Sequence, residues 1–137
     1  MIRVIIADDF ALVRRSIRAL LSTAHDVEII GEAANGQEAV EAAQRLTPDV
    51  VVMDISMPRL DGFQATAQIR ALGLSTRVLA VSMYTDTSVV TNMLDQGARG
   101  FVSKANLGDQ LLPAIRAVYE DAIYLSPAIA AMLNEEE

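Results

Sequence analysis

Three aspartates, a serine and a lysine stand at the ends of short apolar segments, where polar and charged side chains are uncommon. They are Asp8, Asp9, Asp54, Ser82 and Lys104. The clearest case is the stretch at 49–62, DVVVMDISMPRLDG, in which four apolar residues suit a strand buried on both faces and the run then ends in Asp54. A carboxylate at the mouth of a core strand is costly to desolvate, so its presence calls for a chemical reason.

These residue types could carry out phosphoryl chemistry if the fold brings them together. Three neighbouring carboxylates repel one another and raise each other's pKa unless a cation neutralises them. Hard oxygen ligands with room for water describe a magnesium site. A central carboxylate such as Asp54, polarised by the metal and facing an ammonium and a hydroxyl, is suited to attack phosphorus and form an aspartyl phosphate. Mg²⁺ and Lys104 would then neutralise the oxygens of the transferring group.

Five short segments rich in valine and isoleucine alternate with helical patterns, which predicts a doubly wound α/β domain. The segments are 3–8, 27–33, 49–54, 76–82 and 100–104. The first, third and fourth are apolar throughout, as expected of central strands covered on both faces. We predict a five-stranded parallel sheet of order 2-1-3-4-5, a flavodoxin-like fold. Its ligand site would lie at the carboxyl ends of the strands where the strand order reverses, which would bring Asp8, Asp9 and Asp54 to one edge.

Helical signals fill the intervals between the strands. Asp9 is placed to cap a first helix, whose apolar stripe is Val13, Ile17, Leu20 and Leu21. Further helices are predicted from Asn35 to before Thr47-Pro48, from Asp61-Gly62 to about Gly73, from about Asp86 to Gly97, and over about 107–119, where Pro113 should loosen the first turns.

Each polar residue also has a purely structural interpretation. Asp9 alone would more often be a helix cap than a ligand, and Asp61 before Gly62 is typical of a turn or cap. A single lysine such as Lys104 is usually solvated at the surface, and Asp54 alone could end a strand without any further role. The joint placement of the polar residues at the same ends of four strands favours one site over these separate interpretations.

Composition bounds the class of protein. The chain has 137 residues, 52% of them hydrophobic, which suits one globular domain with a sizeable core. Eighteen acidic against eleven basic residues give a net charge of -7, which disfavours direct binding to nucleic acid. With no cysteine, no apolar run of membrane length and no secretory leader, the sequence leads us to expect a cytoplasmic protein without a membrane partner.

The combination of motifs resembles the receiver domains of bacterial two-component response regulators. An acidic pair follows the first strand, Asp-x-x-Met-Pro-x-x-Asp-Gly surrounds the third, a serine ends the fourth and a lysine ends the fifth. The resemblance covers about residues 2–120. It implies that a histidine kinase transfers a phosphoryl group to a central aspartate and that Mg²⁺ is required. It also implies no conventional enzyme activity, only self-catalysed phosphoryl acceptance and slow autodephosphorylation.

The resemblance assigns roles to individual residues of the site. Asp54 would be the phosphoacceptor and a metal ligand, and Asp8 and Asp9 would organise the Mg²⁺. The backbone carbonyl of Ser56 would be a further ligand. Lys104 would pair with the phosphoryl oxygens.

A conformational switch is implied by the same resemblance. The Ser82 hydroxyl would move toward the phosphoryl group, and the ring of Phe101 would turn into the space it leaves, changing the face formed by the fourth helix, fifth strand and fifth helix. Phe101 stands where many receivers have tyrosine, so it can act only by packing. Ala105 follows Lys104 where many receivers have a cis proline, and a cis bond before alanine would cost about 3 to 4 kcal/mol, which favours a trans or more mobile loop.

The tail resembles a linker. Tyr124-Leu125-Ser126-Pro127 and the short helix expected after it are similar to the segment that joins the receiver to a helix-turn-helix domain in the NarL/FixJ (LuxR-type) subfamily of transcription regulators. We therefore divide the chain into a receiver domain at 1–120 and a linker segment at 121–137 that leads to an absent DNA-binding domain. DNA would be contacted only through that domain. A phosphorylation-dependent homodimer is compatible with Phe10 and Leu12, which fall off the core stripe of the first helix.

Other interpretations stay open on the sequence alone. A stand-alone receiver, acting as a phosphorelay carrier or as a docking module that is never phosphorylated, would keep the fold and lose the transcriptional role. A haloacid-dehalogenase-type enzyme uses an aspartate nucleophile with magnesium, but it needs a second aspartate where this chain has Ser56. A flavin-binding protein would need a phosphate-cradling loop where this chain has Asp8-Asp9-Phe10.

Overall fold

A parallel sheet lies at the centre of the structure, a computed structural model in which residues 1–135 are described. Its strands are β1 (Ile2–Ala7), β2 (Val27–Ala33), β3 (Val50–Asp54), β4 (Arg77–Ser82), β5 (Gly100–Ser103) and β6 (Tyr124–Leu125). The helices are α1 (Ala11–Leu21), α2 (Gly36–Leu46), α3 (Gly62–Ala71), α4 (Thr87–Gln96), α5 (Leu107–Tyr119) and α6 (Pro127–Glu135), and a short 3-10 turn spans Lys104–Asn106.

The strand order is β2-β1-β3-β4-β5-β6, which confirms the predicted order 2-1-3-4-5. The three continuously apolar strands lie side by side in the middle of the sheet, as predicted. The sequence did not predict the sixth strand, because two residues are too short to show a period. In that strand Tyr124 pairs with Gly100 and Leu125 with Phe101, so the start of the predicted linker segment extends the sheet.

Helices cover both faces of the sheet, and the buried apolar side chains form one cluster on each face. One cluster joins the sheet to α2, α3, α4 and α6, through residues that include Ala39, Ile69, Met93 and Ile129. The other joins it to α1 and α5, through residues that include Ile17, Leu21, Leu111 and Ile115. All five positions of β3 are buried. This two-sided burial is the reason that the central strands are apolar without alternation.

Capping side chains fix the starts of three helices. Asn35 accepts a hydrogen bond from the Glu38 amide at 2.9 Å, and Asp61 accepts one from the Gln64 amide at 2.9 Å in a complete capping box. Ser126 accepts one from the Ile129 amide at 3.3 Å, which confirms the predicted Ser-Pro helix start. These bonds satisfy amides that the first turn of a helix leaves without partners.

The predicted cap of α1 is wrong. The residue at the cap position is Phe10, which forms no side-chain cap, and its amide donates to Asp8 Oδ1 at 2.9 Å. Asp9 therefore precedes the cap position by one residue, and its carboxylate is directed elsewhere. Across residues 1–135, none of the helices is both long and apolar enough to cross a membrane.

Two glycines let the loop between β3 and α3 lie against neighbouring backbone. The Gly62 amide donates to the Ile55 carbonyl at 2.7 Å, and a Cβ at Gly62 would overlap the backbone of Asp54. A Cβ at Gly36, the first residue of α2, would overlap the carbonyl group of Leu60. The loop that follows Asp54 is thus held between two close backbone contacts that a side chain would prevent.

Replacing Gly36 by alanine should lower the free energy of unfolding by about 1 to 3 kcal/mol, because the added methyl group overpacks the Leu60 contact. Gly108 in α5 is the matched control, since a Cβ there meets nothing within 4 Å. Gly108→Ala should instead stabilise the protein by about 0.5 kcal/mol through helix propensity. Urea unfolding followed by circular dichroism measures both, and equal effects of the two substitutions would contradict the Leu60 contact.

Candidate functional site

The polar residues singled out in the sequence lie at the carboxyl ends of four strands. Asp8 directly follows β1, Asp54 ends β3, Ser82 ends β4 and Lys104 directly follows β5. Because β1 and β3 are neighbours in the sheet, Asp8 and Asp54 meet where the strand order reverses. The sequence analysis placed these residues at the correct edge.

Three carboxylates converge at this edge. Asp8, Asp9 and Asp54 each contribute one oxygen, and these oxygens lie within 4.8 Å of one another. Asp8 is fully buried and Asp54 is 4% exposed, whereas Asp9 is half-buried. The Ile55 amide donates to Asp54 Oδ1 at 2.9 Å and fixes that oxygen. Asp54 Oδ2 accepts no hydrogen bond from the described residues and is the oxygen that solvent can reach.

Lys104 is the only lysine of the chain and bridges two of the carboxylates. Its Nζ lies 2.9 Å from Asp8 Oδ2 and 3.0 Å from Asp54 Oδ1. The contact with Asp8 is ionic, since Asp8 Oδ2 lacks a partner with hydrogen-bond geometry. Burial disfavours the ammonium form, but the two carboxylates outweigh it and hold the pKa of Lys104 above its usual value. The lysine is therefore a fixed positive charge at the site.

Burial raises the pKa of Asp54 from 3.8 to about 6. Lys104 opposes this rise, and the negative charges of Asp8 and Asp9 add to it. Three carboxylates against one ammonium leave two formal negative charges in a region with little water. The arrangement favours the arrival of a cation.

The donor set fits Mg²⁺. Asp9 Oδ1 is a buried oxygen without a hydrogen-bond partner, and Asp8 Oδ2 is a buried oxygen whose one partner among the described residues is the ammonium of Lys104. One ammonium does not neutralise three carboxylates, so the unpartnered oxygen is costly unless a further cation is bound. Three carboxylate oxygens within 4.8 Å of one another would suit a hard divalent cation such as Mg²⁺. Ser56 is exposed in the loop after β3, and its carbonyl stays a predicted ligand.

Ser82 ends β4, the strand next to β3, and Phe101 lies within β5, the strand that precedes Lys104. The Ser82 hydroxyl is buried and accepts a hydrogen bond from the Tyr84 amide at 2.9 Å. Phe101 is fully buried in the cluster that faces α4. Its ring therefore already occupies the core, as a side chain without a hydroxyl group has no polar atom to keep at the surface.

The loop after Lys104 is ordered by a residue that the sequence analysis did not single out. Ser103 accepts a hydrogen bond from the Ala105 amide at 3.2 Å and begins the 3-10 turn at Lys104–Asn106. The Lys104–Ala105 bond is trans, as are the other peptide bonds of the described residues. A serine just before a turn is a recognisable local signal, and it could have identified this contact.

Comparison with known proteins agrees with the geometry. The family model described as the response regulator receiver domain matches residues 4–116. The chain belongs to this family. The receiver family is not one of conventional enzymes, and it implies a histidine kinase as the partner in two-component signalling.

The similar proteins include transcriptional regulatory proteins and response regulators of the LuxR family. The transcriptional regulatory protein LnrK of Bacillus subtilis (strain 168) is 37% identical over 136 residues, which cover 98% of this chain and 62% of that protein. The response regulator GacA of Pseudomonas viridiflava is 35% identical, with 97% and 62% covered. A crystal structure of a LuxR-family two-component response regulator from Aurantimonas sp. SI85-9A1 has a TM-score of 0.93 and 32% identity, with 98% of this chain and 96% of that chain covered. The chain thus spans about three fifths of the length of LnrK and GacA.

In the absence of Mg²⁺, replacing Asp54 by asparagine should stabilise the receiver domain at pH 8 by about 2 to 3 kcal/mol. The folded protein holds the pKa of Asp54 near 6, above the value of 3.8 taken for the unfolded chain, and each pKa unit corresponds to about 1.4 kcal/mol. The ionised carboxyl therefore costs stability above pH 6. This cost, and with it the gain from asparagine, should shrink between pH 6 and 3.8 and be nearly absent below.

Urea unfolding at several pH values measures this difference. Asp109→Asn, at an exposed position of α5, controls for the loss of one negative charge. Added Mg²⁺ should reduce the gain, because a cation stabilises the ionised Asp54. A gain of the same size at pH 3.5 would show that ionisation of Asp54 is not its cause.

Proposed function

We propose that this chain is a phosphorylation-dependent signalling switch that accepts a phosphoryl group on Asp54 from a histidine kinase. The observation that carries the proposal is the buried Asp54 carboxylate, which lies 3.0 Å from the only lysine and beside the oxygens of Asp8 and Asp9. A structural strand end needs none of these neighbours. A phosphoacceptor needs all of them, because it must hold a nucleophile and neutralise the incoming charge at the same point.

The nucleophile is Asp54 Oδ2, which solvent can reach while Oδ1 is held by Lys104 and the Ile55 amide. Oδ2 forms a bond to phosphorus as the phosphorus–nitrogen bond of a phosphohistidine breaks. The electron pair of that bond goes to the imidazole nitrogen of the kinase, which leaves as a neutral ring after taking up a proton from water. The product on this chain is an acyl phosphate.

Asp8, Asp9, Asp54 and the carbonyl of Ser56 would hold Mg²⁺ beside the nucleophile. When bound, the metal supplies positive charge to the phosphoryl oxygens and offsets the two negative charges of the site. Lys104 supplies the second positive charge. Its ammonium needs little movement to pass from the carboxylate to a phosphoryl oxygen of Asp54.

Ser82 would report the phosphoryl group. Its hydroxyl accepts from the Tyr84 amide but donates to no acceptor among the described residues, so its proton is available to a phosphoryl oxygen. Because the Tyr84 amide is bonded to the same oxygen, a shift of Ser82 moves the loop before α4. Phe101 is buried in the cluster that contains α4 residues, and its part in the switch, expected from the resemblance, would be through packing.

In a longer protein this switch would control DNA binding and transcription. The proposal is supported by the printed names of the relatives, which include a transcriptional regulatory protein, and by their greater length. The acidic receiver would not itself contact DNA, and the segment at 121–137 would connect it to the domain that does. A homodimer that forms on phosphorylation is compatible with Phe10 and Leu12, two exposed apolar residues at the start of α1.

Incubation with acetyl phosphate and Mg²⁺ should add one phosphoryl group to the chain, as measured by intact mass spectrometry. Asp54→Asn and a sample without Mg²⁺ should gain none. Asp61→Asn is a matched control, because it removes a carboxylate outside the site and asparagine can still cap α3. If the unmodified chain gained no mass under any condition, Asp54 would not be the phosphoacceptor and a docking module that is never phosphorylated would be the better interpretation.

Lys104→Gln should slow the gain of the phosphoryl group by about 10²-fold, since one charge that stabilises the transferring group is lost. The initial rate of mass gain at a fixed acetyl phosphate concentration measures the effect. Arg99→Gln removes one positive charge from an exposed position outside the site and should leave the rate within about twofold. Equal rates for the two variants would contradict the role of Lys104.

A further inference from the structure

An arginine outside the carboxylate cluster holds the backbone between two of its members. Arg14 lies in the first half of α1, and its Nη1 donates a hydrogen bond to the carbonyl oxygen of Asp8 at 2.7 Å. This oxygen belongs to the peptide group that joins Asp8 to Asp9. Because a peptide group is planar, a bond to its oxygen restrains the plane of the whole group. Arg14 thus orients the backbone from which both carboxylates extend.

The two aspartates differ in what else holds them. The amide of Asp8 donates to the Ala33 carbonyl at 3.0 Å, and its Oδ1 accepts from the Phe10 amide at 2.9 Å. Its Oδ2 lies 2.9 Å from the Lys104 ammonium. The Oδ1 atom of Asp9 is buried and has no hydrogen-bond partner among residues 1–135. The position of Asp9 therefore depends more on the backbone before it than the position of Asp8 does.

A glutamate of the neighbouring strand holds Arg14 in place. Glu32 lies near the end of β2, and its Oε1 accepts a hydrogen bond from Arg14 Nε at 2.9 Å. The other oxygen, Oε2, accepts from Arg18 at 2.7 and 3.0 Å. The side chain of Arg14 is 19% exposed, whereas that of Arg18 is 48% exposed. The guanidinium of Arg14 is therefore fixed between the ends of β1 and β2 with little contact with solvent.

We propose that Arg14 is a positioning residue for Mg²⁺, which acts through the peptide group between Asp8 and Asp9 and makes no contact with the ion itself. The inference rests on the proposed function, which places Mg²⁺ on the carboxylates of the site. Groups that orient the ligands of a metal contribute strongly to its affinity. Without the bond to the Asp8 carbonyl, the peptide group can rotate and carry Asp9 away from Asp54, so the cation loses a ligand that is already in place.

The positive charge of Arg14 has the opposite effect on a cation. A guanidinium near the site repels Mg²⁺, so the loss of its charge alone would tighten Mg²⁺ binding. The loss of a bond that orients the ligands would weaken Mg²⁺ binding. The two effects differ in sign, and the direction of the change in affinity therefore shows whether positioning or charge dominates.

Replacing Arg14 by glutamine should weaken Mg²⁺ binding by about tenfold or more in isothermal titration calorimetry. Glutamine places its amide nitrogen where arginine has Nε, the atom that contacts Glu32, and ends before Nη1, the atom that contacts Asp8. The substitution therefore removes the bond to Asp8 selectively. Circular dichroism verifies that the variant is folded.

Arg18→Gln is the matched control. It removes the same charge and the other partner of Glu32, but Arg18 bonds to a different oxygen of Glu32 and leaves the Arg14 contact in place. Its Mg²⁺ affinity should stay within about twofold of that of the unmodified chain, because an exposed charge is largely screened.

The outcomes separate the inference from the proposed function. Weaker Mg²⁺ binding by Arg14→Gln, with the affinity of Arg18→Gln unchanged, supports the inference. Equal or tighter binding by Arg14→Gln overturns it and leaves the proposed cation site intact, as does an equal loss of affinity in both variants. If the unmodified chain bound no Mg²⁺, the proposed function and the inference would fail together.

The Mg²⁺ dependence of phosphorylation gives an independent measurement. In Arg14→Gln the Mg²⁺ concentration that gives half the maximal rate of mass gain from acetyl phosphate should rise by about tenfold. The rate at saturating Mg²⁺ should approach that of the unmodified chain, because Asp54 and Lys104 keep their contacts. A lower rate at saturating Mg²⁺ with an unchanged half-saturating concentration would overturn the positioning role.

Discussion

Lys104 lies within 3.0 Å of two carboxylates that have almost no contact with solvent. The arrangement of the polar residues at the carboxyl ends of the strands depends on these two ion pairs. Without the ammonium, Asp8 and Asp54 would be two buried negative charges beside a third on Asp9. With it, the site still carries an excess of two negative charges, and burial holds the pKa of Asp54 near 6. A fold keeps such a cost where the charges serve a reaction, because an apolar cluster of the same volume would be more stable.

The apolar scaffold makes this arrangement rigid. Because β3 is buried at every position, the packing of this strand holds the backbone of Asp54, its last residue, in place. The loop after Asp54 is held from two sides by backbone contacts at Gly36 and Gly62. A polar site supported in this way would keep its atoms in place during the proposed phosphoryl transfer, as electrostatic stabilisation of the transferring group requires.

The sequence reveals the site because parallel strands buried on both faces are continuous apolar runs, so that their ends can be located. Asp54 and Lys104 were identified in this way, and the strand order then brought Asp8 beside Asp54. The predicted cap of α1 was wrong because a capping residue must directly precede the first residue of the helix. Helix α1 begins at Ala11, one position later than a cap at Asp9 requires. The strand β6 was missed for a different reason. Its pairing with Phe101 is a long-range register, and two residues carry no period from which it could be inferred.

Phosphorylation of Asp54, as proposed, would make the charge of the site more negative. An acyl phosphate on Asp54 carries about one negative charge more than the carboxylate it replaces, so the excess at the site would rise from two charges to three. A divalent cation lowers it to one. Lys104 is already in contact with Asp54 and has little distance left to move, whereas the Ser82 hydroxyl still has a proton to donate. The residues that follow it, Met83 and Tyr84, are 68% and 63% exposed, so few packing contacts resist their displacement. In the proposed switch, the added charge would therefore be converted into movement at the end of β4, where the following residues are exposed and where α4 begins.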